Sequence, residues 1–147
     1  MPTQSPSAPP RTRSHAPVEV EWLGGHEFEA GRAGGPRIRI DGDTQAAPSP
    51  FDVLLASIAT CAATDVVTIL QKQRTPVRAL RVRVEAQRVE SIPHHLAAAV
   101  LHFSIAAPGT TPEKAARAVE LAITRYCSVR SSLIADAPVT WTIELTS

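Results

Sequence analysis

The chain is short of aromatic residues: 2 Trp, 1 Tyr and 3 Phe among 147 residues. That scarcity argues against stacking platforms for single-stranded nucleic acid. It also lacks a charge excess of either sign, with 15 Lys+Arg against 14 Asp+Glu and a formal net charge of +1. Neither nucleic acid nor an anionic membrane is therefore expected as the main partner. Only two cysteines are present, too few for a disulfide-built secreted scaffold. No charged segment followed by an apolar one marks a secretory signal. The expected compartment is the reducing cytoplasm, where both thiols are free unless chemistry oxidises them. The longest apolar stretch, Phe51 to Leu70, contains Asp52 and Asp65. The uncharged interval between them falls short of the ~20 residues a bilayer span needs.

The length suits one domain. Residues 1–17 are rich in Pro and Ser and carry Arg11 and Arg13 but no acid. They read as a disordered arm preceding a domain over 18–147. Three short strands are expected first. Val18–Trp22 and Pro36–Ile40 alternate apolar and charged residues, and His26–Glu29 lies between Gly24-Gly25 and the Gly31–Gly35 turn. Ser49-Pro50 then gives an N-cap and a first helical residue. The apolar stretch after them, closed by Gln71–Arg74 and Pro76, predicts a buried core helix.

Leu80–Glu90 and Leu96–Ala106 predict a hairpin. Thr111-Pro112-Glu113 opens a second helix whose apolar stripe is Ala115, Val119, Ala122, Ile123 and Tyr126. Cys127 to Leu133 continues that helix or forms a short one of its own. Val139–Leu145 closes the chain as a strand. Strands and helices mix without βαβ alternation, so the fold class is α+β.

Cys61 lies on one helical face with Leu54, Ile58 and Asp65. By composition alone a cysteine there is a small hydrophobe. Cys127 has Arg125 and Arg130 close in sequence, and free amides at the start of a short helix would favour its thiolate. Spacing alone does not bring the two cysteines together, and there is no CxxC. Asp65 within an apolar run either lies at the helix surface or bonds to a backbone group or an arginine; its expected role is structural, and its loss should cost stability rather than chemistry. His26, His94, His95 and His102 show no ligand spacing with the cysteines, so neither a metal nor another cofactor is expected. No glycine-rich phosphate loop or nucleophile elbow occurs.

The segment from Pro48 through Cys61-Ala-Ala-Thr-Asp65-Val-Val, with Tyr126-Cys127-Ser128-Val129 later, resembles the osmotically inducible protein C and organic hydroperoxide resistance family. The likeness runs from about Val18 to Leu145. It implies a two-layer α+β fold with antiparallel sheets around the central helix, in an intertwined homodimer. It implies a thiol-dependent peroxidase acting on organic hydroperoxides. Cys61 would attack the peroxide, Cys127 would resolve the sulfenic acid as a disulfide, and a lipoyl-type dithiol would reduce the pair. Arg39, on the strand before the central helix, is the candidate for activating Cys61. Where peroxidase members carry Asn-Pro-Glu, this chain reads Ser49-Pro50-Phe51, and the Gly24-Gly25 turn is followed by His26. Phe51, Asp52 and His26 are accordingly the substrate-binding candidates. A small-molecule-binding or redox-sensing member without peroxidase activity is the rival reading.

Overall fold

The structure is a computed structural model that describes residues 7–133 and 137–147. The chain divides into two compact units, Met1–Pro50 and Phe51–Ser147. The first six residues of the expected arm lie outside the described residues. Residues 7–17 are exposed and form no helix or strand.

The first unit holds an antiparallel meander, β1 (Val18–Gly24), β2 (Glu27–Arg32) and β3 (Arg37–Asp41). Gly24 and Gly25 turn β1 into β2 at φ of 120° and 54°, angles that a side chain would strain. Register pairs Val20 with Ala30 and Ala30 with Ile38. Pleating therefore collects Val18, Val20, Trp22, Ile38 and Ile40 on one face and Glu19, Glu21, Glu29, Arg37 and Arg39 on the other. Val20, Trp22 and Ile38 on that apolar face are exposed. Beyond β3, the Asp41 carboxylate accepts three backbone N–H bonds, from Asp43, Gln45 and Ala46, at 2.9–3.1 Å. Those donors hold its carboxyl below the ordinary carboxylate range, mainly through Ala46 and Asp43.

The second unit is a two-layer α+β fold. Helix α1 (Pro50–Lys72) leads into the hairpin β4 (Ala79–Arg88) and β5 (Leu96–Ala106). Helix α2 (Pro112–Leu121) comes next, capped as expected by Thr111, whose hydroxyl accepts from the Lys114 N–H at 3.2 Å. A π-helical turn (Ala122–Tyr126) and a short helix α3 (Ser128–Ser131) succeed it, and β6 (Val139–Thr146) closes the chain. The sheet order is β4-β5-β6.

Two expectations need correction. The sheets were expected to be antiparallel throughout, but β6 pairs parallel with β5. The excursion through α2 and α3 returns the chain to the starting end of β5, and such a crossover yields a parallel pair. The helix α1 was expected to be buried because it is apolar nearly all round. By length and composition it could cross a membrane, yet only 28% of its most apolar window is buried. Its buried residues form one stripe, Ile58, Ala62, Val66 and Leu70, with Ala59 beside it. Helical spacing of four explains the stripe. It joins Leu101, Phe103 and Ile105 of β5 and Val119 and Ile123 in a single core. The opposite flank, including Thr60, Thr64, Val67 and Thr68, is exposed. There each threonine hydroxyl donates back to its own helix: Thr60 to the Ala56 carbonyl, Thr64 to Thr60 and Thr68 to Thr64.

Leu70 is fully buried in this core, whereas Arg81 lies on the solvated face of β4. Leu70→Ala is expected to lower the unfolding free energy by about 2–5 kcal/mol. Arg81→Ala should change it by less than about 0.5 kcal/mol. Urea denaturation measures both, and equal losses would contradict this layering.

Candidate active site: a buried thiol against the central helix

The π turn decides where Cys127 goes. Had α2 continued as an α-helix, the stripe Ala115, Val119, Ala122 would carry Tyr126 into the core. A π turn holds one extra residue, which rotates the downstream residues by about 100°. Tyr126 is accordingly 51% exposed, and Cys127 is 2% exposed. The expectation that Tyr126 belongs to the buried stripe is corrected on this ground.

The Cys127 Sγ sits over α1. It lies 3.9 Å from the Ile58 carbonyl oxygen, towards which the thiol donates. Cys61 is three positions beyond Ile58, and such residues are neighbours on a helix surface. Cys61 is close enough to act electrostatically on Cys127. Both thiols are free, Cys61 half-buried and Cys127 buried. The structure thus sets Cys127 against the helix that carries Cys61, a placement that spacing could not give.

Cys127 also caps α3. Its backbone is extended, at φ −72° and ψ 96°, and its sulfur accepts from the Arg130 N–H at 3.4 Å. That amide favours the thiolate, as the sequence led us to expect. Burial acts more strongly and pushes the thiol above its ordinary pKa, and the contact and charge of Cys61 add to the rise. Cys127 is therefore a protonated thiol at neutral pH, not the stabilised thiolate expected from its position before a helix. A raised thiol pKa contributes stability that is present below the unfolded value of about 8.5. That stability is lost as pH climbs through the folded value.

The remaining candidates fall in separate places. The Phe51 ring stacks under the Arg88 guanidinium, 3.9 Å from its centroid, while Arg88 Nε donates to the His94 carbonyl at 2.8 Å. Phe51 also lines an apolar cavity of about 230 Å³ with Leu54, His95, Leu96, Ser132 and Leu133. Asp52, one position on, faces an open groove of about 490 Å³ between α1 and β4, with Leu55, Ala59, Leu80 and Val82. In the first unit, His26 pairs with Asp43 at 2.9 Å, exposed to solvent. Arg39 pairs with Glu29 at 3.9 Å, also exposed. Asp65 is half-buried on the Cys61 face, and no hydrogen bond or ion pair holds it among the described residues. Its loss is therefore no longer expected to cost stability, because there is no buried partner to orphan.

Sequence reasoning missed Arg88 and the Ile58 carbonyl. The first lies at the end of an alternating strand and carries no local sign of its partner. The second is a backbone atom with no side-chain signal.

Comparison with known proteins identifies the family and the fold. The sequence model of the OsmC-like protein family matches residues 41–144. Protein YhfA of Escherichia coli strain K12 is 34% identical over 129 residues, spanning 87% of this chain and 96% of that protein. This chain belongs to the OsmC-like family. The crystal structure of an OsmC-like protein from Mycoplasma pneumoniae superposes with a TM-score of 0.78 at 14% identity, covering 92% of this chain and all of that one. The organic hydroperoxide resistance protein OhrB of Bacillus subtilis gives a TM-score of 0.59 at 16% identity, over 89% of this chain and 98% of that one. These two show the shared fold.

Two measurements check the electrostatics. Iodoacetamide at neutral pH should label Cys61 several-fold faster than Cys127, read by mass spectrometry. Equal rates would mean that burial does not protect Cys127. His26 is raised above its ordinary pKa, chiefly by its hydrogen bond to Asp43. Its contribution is present below about pH 6.5 and is lost as pH rises through the folded value. An NMR titration should place His26 above that ordinary value, and Asp43→Asn should return it.

Proposed function

We propose that this protein is a thiol-dependent peroxidase that reduces organic hydroperoxides, with Cys61 as the peroxidatic and Cys127 as the resolving cysteine. The observation that carries the reading is the Cys127 sulfur resting on the Ile58 carbonyl, three positions before Cys61 on the same helix, with Cys61 half-exposed and Cys127 buried. Membership of the OsmC-like family supports it.

The steps balance with the residues present. The Cys61 thiolate attacks one oxygen of ROOH, and the O–O bond breaks. The leaving alkoxide takes a proton from water to give ROH, and Cys61 becomes a sulfenic acid. Cys127 then attacks the Cys61 sulfur and gives up its thiol proton. The hydroxyl leaves as water and a disulfide remains. A lipoyl-type dithiol restores both thiols by exchange and departs as its own disulfide. A resolving thiol that stays protonated until attack suits the raised pKa of Cys127, because it does not compete with Cys61 for the peroxide.

Arg39 is the cation proposed to steady the Cys61 thiolate. Its long, exposed contact with Glu29 is weak and leaves it available. Phe51 and Asp52 are proposed to contact substrate from the two cavities they line, and His26 from the β1–β2 turn. The working unit is residues 18–147, acting in the cytoplasm as an intertwined homodimer. The uncovered apolar face of β1 and β3 supports the dimer, since a lone soluble chain rarely leaves such a patch open.

One observation favours the rival, a small-molecule-binding member without turnover. Phe51 stacks on Arg88, where an acid would bind a guanidinium by charge. Stopped-flow mixing of the reduced protein with cumene hydroperoxide separates the two. The peroxidase reading expects rapid Cys61–Cys127 disulfide formation, slower with hydrogen peroxide and reversed by dihydrolipoamide. Cys61→Ser should abolish turnover, and Cys127→Ser should allow one oxidation without recycling. Oxidation no faster than that of an ordinary free thiol would reject the peroxidase and leave the binding protein.

A further inference from the structure

We propose that disulfide formation between Cys61 and Cys127 uncaps α3 and loosens one wall of the Phe51 cavity, so that the redox state of the thiols sets the order of residues 128–133. The inference rests on the peroxidase reading for its physiological oxidant, a hydroperoxide, and on the geometry of Cys127 for everything else.

In the reduced protein one sulfur holds three relationships. It accepts from the Arg130 N–H at 3.4 Å, lies 3.9 Å from the Ile58 carbonyl and feels the charge of Cys61, three positions beyond Ile58. The first of these is the side-chain cap of α3. A four-residue helix has almost no stability of its own, so its cap carries unusual weight. The other end is held by Ser131 N–H to the Cys127 carbonyl at 3.1 Å and Ser132 N–H to the Ser128 carbonyl at 3.1 Å.

Oxidation removes two electrons from the pair, through the sulfenic acid, and both thiol protons leave. The Cys127 sulfur then has no proton to offer Ile58. A covalent sulfur–sulfur contact is also much shorter than a hydrogen-bonding one. One side must move to close the gap. Helix α1 is pinned by Ile58, Ala62 and Val66 in the core. The segment before Cys127 is the π turn, a poorer hydrogen-bonding geometry than the α-helix. The movement therefore falls on Cys127, towards α1 and away from the Arg130 amide. Ser132 and Leu133 come directly after α3 and line the Phe51 cavity. Uncapping α3 frees that wall, so an apolar product would leave most easily when the disulfide has formed.

Hydrogen exchange on the full-length protein tests this, comparing the peptide Ser128–Leu133 in the reduced form and after one equivalent of cumene hydroperoxide. Exchange in this peptide should become roughly five- to tenfold faster on oxidation, with β5 unchanged. Cys127→Ala should exchange fast even when reduced. Cys127→Ser should stay slow with or without peroxide, because a hydroxyl caps and cannot form the bond. Unchanged exchange in protein whose disulfide is verified by mass would overturn the inference, as would full protection in Cys127→Ala. If cumene hydroperoxide yields no disulfide, the peroxidase reading fails. The oxidised form is then made with diamide, and the capping inference is read from it. No disulfide with diamide either would overturn the inference as well.

Discussion

The packing of one stripe of α1, Ile58, Ala62, Val66 and Leu70, against β5 and α2 is the constraint on which the second unit depends. Three members of the stripe are branched aliphatics, and the fourth, Ala62, lets neighbouring side chains approach the helix closely. Without a fixed α1 there is no fixed Ile58 carbonyl, and without that carbonyl nothing specifies where the Cys127 sulfur rests. The thiol pair is thus a by-product of core packing before it is chemistry. Cys61 lies at the edge of the stripe, so one side of the helix is locked in hydrocarbon while its thiol keeps a path to solvent.

The difference between the two thiols arises from environment alone, since both start with the same intrinsic acidity. Around Cys127, amides from Arg130 and Val129 pull towards the thiolate, and burial with Cys61 pulls the other way. Burial wins, because a short helix start offers few oriented amides and a sulfur at 2% exposure has lost most of its water. Two identical thiols in identical settings would compete for one oxidant. Here the setting leaves Cys61 half-exposed and buries Cys127.

Much of this architecture was legible in the sequence. Period-two alternation placed β1, β3, β4 and β6, and Ser49-Pro50 and Thr111-Pro112 marked the helix starts, because those signals are local. The motifs around Cys61 and Cys127 identified the family from residues alone. What failed was non-local. The direction of β6 depends on where a crossover delivers the chain. The exposed flank of α1 depends on how much sheet is available to cover an apolar helix. The stacking of Arg88 on Phe51 joins the end of β4 to the first turn of α1, and neither residue carries a local sign of it. Residue pattern alone leaves Asp65 between a surface position and a bonded one, since a carboxylate needs a partner only when fully buried, and the helix leaves that face half open.

The π turn at Ala122–Tyr126 shows a local preference giving way to a long-range one. Ala122, Ile123 and Thr124 would continue an α-helix without difficulty, and its hydrogen bonds are better formed than those of a π turn. Continuing it would bury Tyr126, whose hydroxyl would need a partner in a core of aliphatic side chains and Phe103. It would also turn Cys127 away from Ile58. Adding one residue to the turn resolves both at once: the phenol goes to solvent beside Arg125, 5.7 Å from its ring centroid, and the small sulfur takes the interior position. The strain of the turn is borne next to the residue whose placement it secures. Departures from regular helix are most economically located there.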